Sequence, residues 1–222
     1  ISLGSSLILS LTKKRMSVRV RFAPSPTGAL HIGGLRTALY NYLYAKKNGG
    51  QFILRIEDTD KYRKVKGAEE YIKEALNWSG IKPDESPSTP GDYGPYRQSE
   101  RVSIYHKYIG ELINKGKAYY AFDTNEELNK IREDNERQKK TFKYGAHNRM
   151  QLKNALSQSD DVTKEFLKKG PYVVRLKVNS GETIKVKDGV RGLIEVQSDE
   201  VDDKILIKAD GMPTYHFANI VD

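Results

Sequence analysis

A guanidinium, an imidazole and a run of acids fall within 40 residues of one another, each at the edge of a segment that reads as regular structure. Arg21 stands near the end of the alternating segment 18–22. His31-Ile32-Gly33-Gly34 follows a turn rich in Pro and Gly. Glu57-Asp58-Thr59-Asp60 follows the strand-like segment 52–56. A guanidinium can grip a carboxylate through two parallel hydrogen bonds. An imidazole just ahead of a helix can donate to a phosphate oxygen, and the helix start adds unpaired N–H groups and a positive dipole end. Gly28, Gly33 and Gly34 let the main chain approach a ligand, because no Cβ stands in the way. Pro24 and Pro26 stiffen the turn and hold the residues before them extended. The acids could bind an ammonium group or a metal, or serve as caps and turn bonds. The set suits a nucleotide beside a small charged molecule. An ordinary crossover with a glycine turn would read the same way, and the stretch fits neither GxGxxG nor GxxxxGK[ST].

The elements that must position these groups are legible in part. Leu35, Ala38, Leu39, Tyr42 and Leu43 recur at helical spacing and share one face. Gly49-Gly50 ends that helix, and a second strand at 52–56 completes a β-α-β unit. In open α/β sheets ligands bind at the strand ends where the polar loops lie. A basic loop leads to a helix at 68–79 with Ala68, Tyr71, Ile72, Ala75 and Leu76 on its apolar side. The sole tryptophan, Trp78, is expected in the core. Residues 81–98 read as a linker rich in Pro and Gly. Ser99 is expected to cap a helix that buries Val102, Tyr105, Ile109 and Leu112.

Beyond it the pattern changes. Residues 118–122 read as a strand, and Asp123 or Thr124 as the cap of a charged helix reaching Lys140, with surface pairs such as Glu133 with Arg137. Helical pieces are expected at 149–156 and 162–169, and short strands at 172–178, 183–187, 193–196 and 205–208. Asp210-Gly211 reads as a tight hairpin turn. Tyr215 and Asn219 are four positions apart and share a face if helical.

A formal charge of +9 over 222 residues fits a polyanionic partner. The absence of cysteine excludes disulfides, thiolate zinc sites and cysteine nucleophiles. No apolar run is long enough to cross a membrane, so no membrane partner is expected. Residues 2–11 are mildly apolar with Lys13-Lys14-Arg15 behind them, the reverse of a secretory signal. Met16 reads as a natural start and residues 1–15 as a flexible extension, non-native or wrongly assigned to the chain.

Three motifs carry a resemblance. Arg21-Phe22-Ala23-Pro24-Ser25-Pro26-Thr27-Gly28, then Leu30-His31-Ile32-Gly33-Gly34, then Arg55-Ile56-Glu57-Asp58-Thr59-Asp60 resemble the glutamyl-tRNA synthetases of bacterial and organellar type. His31 to Gly34 is similar to the HIGH signature of class I aminoacyl-tRNA synthetases, in the HIGG form. The glutaminyl branch has Pro-Glu-Pro-Asn-Gly where this chain has Pro24-Ser25-Pro26-Thr27-Gly28, which favours glutamate. The resemblance implies an α/β fold, a Rossmann-like parallel sheet carrying an inserted α+β domain that binds the tRNA acceptor end. It divides the chain into the extension 1–15, the first half of the catalytic domain 16–97, the insertion 98–209 and a return to the catalytic domain at 210–222. The family's KMSKS signature and anticodon-binding domains do not occur in these 222 residues, so the chain is expected to be an N-terminal fragment, inactive alone.

The activity implied is ATP-dependent activation of L-glutamate and its transfer to the 3′ end of tRNA(Glu). By the same resemblance His31, Gly33 and Gly34 are catalytic, and ATP also lies against Pro24, Thr27 and Gly28. Glutamate falls to Arg21, Ala23, Ser25, Glu57, Tyr215 and Asn219. Asp58 is expected to be structural, and Asp60 stays open between nucleotide and tRNA. Mg2+ accompanies ATP. Zinc is not expected, because the cysteines some members carry near 118–123 are missing. A cytoplasmic monomer is implied. Two other readings stay open, a paralogue that glutamylates a tRNA base and a non-enzymatic RNA-binding module.

Overall fold

The computed structural model describes residues 18–60 and 63–222. The expected extension and the start at Met16 lie outside the described residues. The chain forms two compact units that divide between Glu100 and Arg101.

In the first unit β1 (Arg19–Phe22) and β2 (Gln51–Leu54) run parallel, in register from Arg19 opposite Gln51 to Phe22 opposite Leu54. Parallel neighbours need a crossover, and α1 (Ile32–Lys47) supplies it. The return from α1 is tight: a Cβ on Gly50 would stand 2.2 Å from the Val18 carbonyl oxygen, so only glycine fits. Helix α2 (Ala68–Trp78) packs below. Phe22, Phe52, Leu54, Ile56, Ile72, Leu76 and Ile81 form the core. The edge of Tyr42 meets the Phe52 ring at 5.8 Å between centroids. Complete burial of a side chain such as Phe52 contributes about 1.5–3 kcal/mol.

Two expectations are corrected here. Helix α1 turns Leu35, Ala38, Tyr42 and Ala45 toward the sheet, while Leu39 and Leu43 remain 40% and 53% exposed. The small residues Ala38 and Ala45 let the helix lie close, and that stripe excludes its leucine neighbours. Trp78 is not in the core but 86% exposed. The buried line of α2 is Ala68, Ile72 and Leu76, and a residue two positions past Leu76 points away from it.

The stretch that reads as a linker lies along β2. Leu54 N donates to Glu85 O at 2.9 Å, Asp84 N to Phe52 O at 2.8 Å, Ile56 N to Tyr96 O at 2.9 Å and Gln98 N to Ile56 O at 3.0 Å. Arg19 fixes Glu85 with two bonds of 2.6 and 2.8 Å, and the Tyr96 hydroxyl donates to the same carboxylate. Ser99 caps no helix: its N–H and Oγ donate to Asp58 at 2.9 and 2.7 Å, inside a 3-10 turn at Gln98–Arg101.

The second unit begins with α3 (Val102–Asn114) and holds α4 (Asn125–Arg137), α5 (Asp160–Lys169) and α6 (Tyr215–Val221). β3 (Ala118–Ala121), β4 (Val173–Leu176) and β7 (Ile205–Ile207) form an antiparallel sheet in the order β3-β4-β7. β5 (Thr183–Asp188) and β6 (Gly192–Gln197) form a separate hairpin. Tyr105 and Ile109 of α3 pack with Val174, Leu206, Ile207 and Phe217. Of the two cap candidates Thr124 is the one used, in a reciprocal box with Glu127. Arg137 pairs with Asp134 at 3.3 Å rather than with Glu133. The helix expected at 149–156 is only a 3-10 turn at Arg149–Gln151. The buried Asn154 side chain donates to Arg149 O at 2.6 Å and Leu152 O at 3.1 Å and accepts from Leu156 N at 2.9 Å, local bonds that replace a helical ladder. The turn at Asp210 closes as expected, with Gly211 N donating to Lys208 O at 2.9 Å.

Buried polar groups cross this sheet. Asp203, fully buried, accepts from Tyr119 Oη at 2.6 Å and Val178 N at 2.9 Å and pairs with Arg149 at 3.2 Å. Burial, with the bond to Asp203 second, drives the Tyr119 hydroxyl far above the usual phenol range. Among the described residues no helix is long and apolar enough to cross a membrane.

Candidate active site

The site grows out of the parallel pairing. Past β1 and β2 the main chains stay bonded: Arg55 N donates to Phe22 O at 3.0 Å and Glu57 N to Pro24 O at 3.0 Å. These bonds set the tip of the first strand beside the tip of the second. The turn between β1 and α1 is closed by Thr27 N donating to Ser25 O at 2.8 Å, and Val65 N reaches Pro26 O at 2.9 Å from beyond the acids. The turn and the start of α1 enclose a cavity of about 330 Å3 lined by Phe22, Pro24, Ser25, Thr27, Gly28, Ala29, Leu30, His31, Gly34 and Ile72. That volume falls in the range of small-molecule sites.

His31 is the N-cap of α1, and its Nδ1 accepts from Gly33 N at 3.1 Å. A neutral imidazole that accepts at Nδ1 carries its proton on Nε2, so the ring presents a donor there. The same bond occupies the Gly33 amide and leaves the Gly34 amide outside the ladder of the helix. A Cβ at Gly33 would stand 2.9 Å from His31 Cε1, so any side chain there displaces the imidazole.

The predicted residues divide into three groups. Pro24, Ser25, Thr27, Gly28, His31 and Gly34 come together around the cavity, with Gly33 as the partner of His31. Arg21, Ala23 and Glu57 sit at the strand tips and do not line it. Arg21 is opposite Ile53 within β1, and Glu57 is buried with its N–H on Pro24. Tyr215 and Asn219 belong to the second unit, where Asn219 Nδ2 donates to Tyr215 Oη at 3.2 Å on a shared face of α6. Asp58 takes the Ser99 donors and pairs with Lys64 at 3.4 Å, and Asp60 pairs with Arg63 at 2.6 Å. The apolar floor, Phe22 and Ile72, was not foreseen as part of the site. Both lie on apolar stripes of their elements, a signal for core that does not distinguish a cavity wall.

A glycine-hinged turn, a capping histidine and two joined strand tips are the marks of a nucleotide-binding α/β domain. The chain belongs to the family of class I tRNA synthetases for glutamate and glutamine (E and Q), catalytic domain, which it matches over residues 17–222. Within that family it is similar to a glutamate–tRNA ligase of Christiangramia forsetii, 59% identical over 206 residues that cover 92% of this chain and 41% of the relative. A glutamate–tRNA ligase of Parabacteroides distasonis is 57% identical over 207 residues, 92% of this chain and 40% of its own. The crystal structure of a glutamate tRNA ligase from Elizabethkingia meningosepticum in complex with its amino acid superposes with a TM-score of 0.89 at 55% identity, over 93% of this chain and 41% of that one. The α/β synthetase fold expected from the motifs is therefore borne out. The chain spans about two fifths of the length of these relatives.

Proposed function

We propose that this chain carries the substrate-activating part of a glutamate–tRNA ligase, which joins L-glutamate to ATP and passes it to the 3′ end of tRNA(Glu). The observation that supports it most is the cavity whose rim combines His31, fixed by Gly33, with the start of α1. ATP lies against Pro24, Thr27, Gly28, His31 and Gly34, with Mg2+ arriving on its phosphates. Arg21 pairs with the side-chain carboxylate of glutamate, helped by Ser25 and the backbone of Ala23. Glu57 takes the α-amino group, and Tyr215 and Asn219 complete the amino-acid site. Residues 16–97 and 210–222 form the catalytic domain, and 98–209 hold the tRNA acceptor end. The protein acts as a cytoplasmic monomer, without zinc and without a membrane partner.

The chemistry follows from charge. The α-carboxylate of glutamate attacks the α-phosphate and pyrophosphate leaves. The nucleophile is already ionised, so no general base is needed. A terminal ribose hydroxyl of the tRNA then takes the glutamyl group and AMP leaves. Catalysis in the first step is positioning and stabilisation of phosphate charge. His31 Nε2–H and the Gly34 amide supply the donors.

The test is glutamate-dependent pyrophosphate exchange by the full-length protein in the presence of tRNA(Glu). His31→Ala should lower the exchange rate by about 10²–10³-fold, with the fold retained by circular dichroism. Exchange that ignores glutamate, or that survives the substitution, contradicts the reading.

A further inference from the structure

Helix α6 carries Tyr215 and Asn219, yet its seven residues are too few to hold a helix in water unaided. Its neighbours in the second unit must fix it. The start is fastened to β7, where Thr214 N donates to Leu206 O at 2.8 Å and Thr214 Oγ1 to Ile205 O at 2.9 Å. Phe217 and Ala218 form the buried side, and the Phe217 ring lies 6.5 Å from that of Tyr105 on α3. The far end is held by charge. Asp222 is the C-cap of α6, and its side chain is fully buried. Arg101 Nε donates to Asp222 Oδ1 at 2.8 Å, and the Tyr105 hydroxyl lies 3.1 and 3.2 Å from the two carboxylate oxygens. Burial first, then Asp222, pushes the Tyr105 hydroxyl above the usual phenol range, so it stays a donor.

Both charges stand at the wrong ends of their own helices. Arg101 is the N-cap of α3, where the dipole is positive, and Asp222 closes α6, where it is negative. Neither stabilises its own helix, and each is offset only through the other. A well-packed apolar pair would join the two helices as firmly. What the ionic pair and the hydroxyl add is direction. Three bonded atoms on α3 fix the distance and rotation of the end of α6, which greasy contact leaves free to slide. Asn219 is one turn before Asp222, and its Nδ2 donates to Tyr215 Oη at 3.2 Å. A rotation of α6 therefore moves both side chains together.

We propose that Arg101 and Tyr105 are positioning residues for the amino-acid site: through Asp222 they fix α6, and α6 fixes Tyr215 and Asn219. This rests on the glutamate role proposed above for the last two. The full-length protein is assayed for glutamate-dependent pyrophosphate exchange with tRNA(Glu) present, and the KM values for glutamate and ATP are measured separately. Tyr105→Phe keeps the ring beside Phe217 and removes only the bond to Asp222. It should raise the glutamate KM about tenfold and leave the ATP KM within about twofold. Added to Tyr215→Phe, it should raise the glutamate KM little further, because both act through one group. Arg101→Met with Asp222→Leu replaces the pair by apolar side chains, so the urea midpoint should not fall. Its glutamate KM should rise at least as far as that of Tyr105→Phe, which a purely stabilising pair would not cause. Should the double variant not fold, Tyr105→Phe alone decides. The proposal is overturned if folded Tyr105→Phe leaves the glutamate KM unchanged, if both KM values rise together, or if the effects of Tyr105→Phe and Tyr215→Phe multiply. Exchange by the unaltered protein that ignores glutamate sinks the ligase reading and this role with it. Glutamate-dependent exchange with an unmoved KM in the variants sinks only the positioning role.

Discussion

The turn after β1 and the antiparallel sheet of the second unit differ in what is added to their main-chain bonds. At the turn, main chain binds main chain, as Glu57 N does to Pro24 O and Val65 N to Pro26 O. In the sheet, buried side chains brace the main-chain ladder, with Asp203 linking Tyr119, Val178 and Arg149. Main-chain bonds ask only for residues that permit the geometry, and they leave side chains such as His31 available for a ligand. A buried polar hub asks for every partner at once, because an unmatched group in low dielectric is costly.

That contrast can be broken most directly at its hub. Asp203→Ala leaves the buried Arg149 without its counter-charge and should cost about 3–5 kcal/mol, read as a lowered urea midpoint. A loss much below that range would mean the hub contributes little. A smaller effect is expected at the Glu69–Arg97 pair of the first unit, whose side chains are 12% and 31% exposed. The bond from Arg97, then Lys73, holds the Glu69 carboxyl down at about 2 against an ordinary 4.5. A depressed acid contributes its stability in full above pH 4.5 and loses it as pH falls through about 2. Glu69→Gln should flatten that part of the midpoint-against-pH profile, by on the order of 1 kcal/mol after solvent screening. The smallest effect belongs to Trp78→Ala. The residue lies off the buried line of α2, so the midpoint should move by less than about 0.5 kcal/mol.

What could be read from the sequence depends on how far apart in the chain the partners lie. The β-α-β unit and the His31 turn follow local rules of alternation, glycine placement and capping, and both were legible. The close seat of α1 was not, because Ala45 gives no hydrophobic signal until a sheet is present to press against. Ser99 has the type and position of a cap, but its partner Asp58 lies 41 residues earlier in the chain. Asn154 sits in a stretch of helical spacing and undoes it with its own amide.

The segment 81–98 also decides how the protein meets other chains. A strand with a bare flank is a template for foreign strands. β2 has β1 along one side and the main chain at Glu85 and Tyr96 along the other. Its apolar run Phe52-Ile53-Leu54 is thereby denied to aggregation, and the prolines nearby give an intruder few amide donors to pair with.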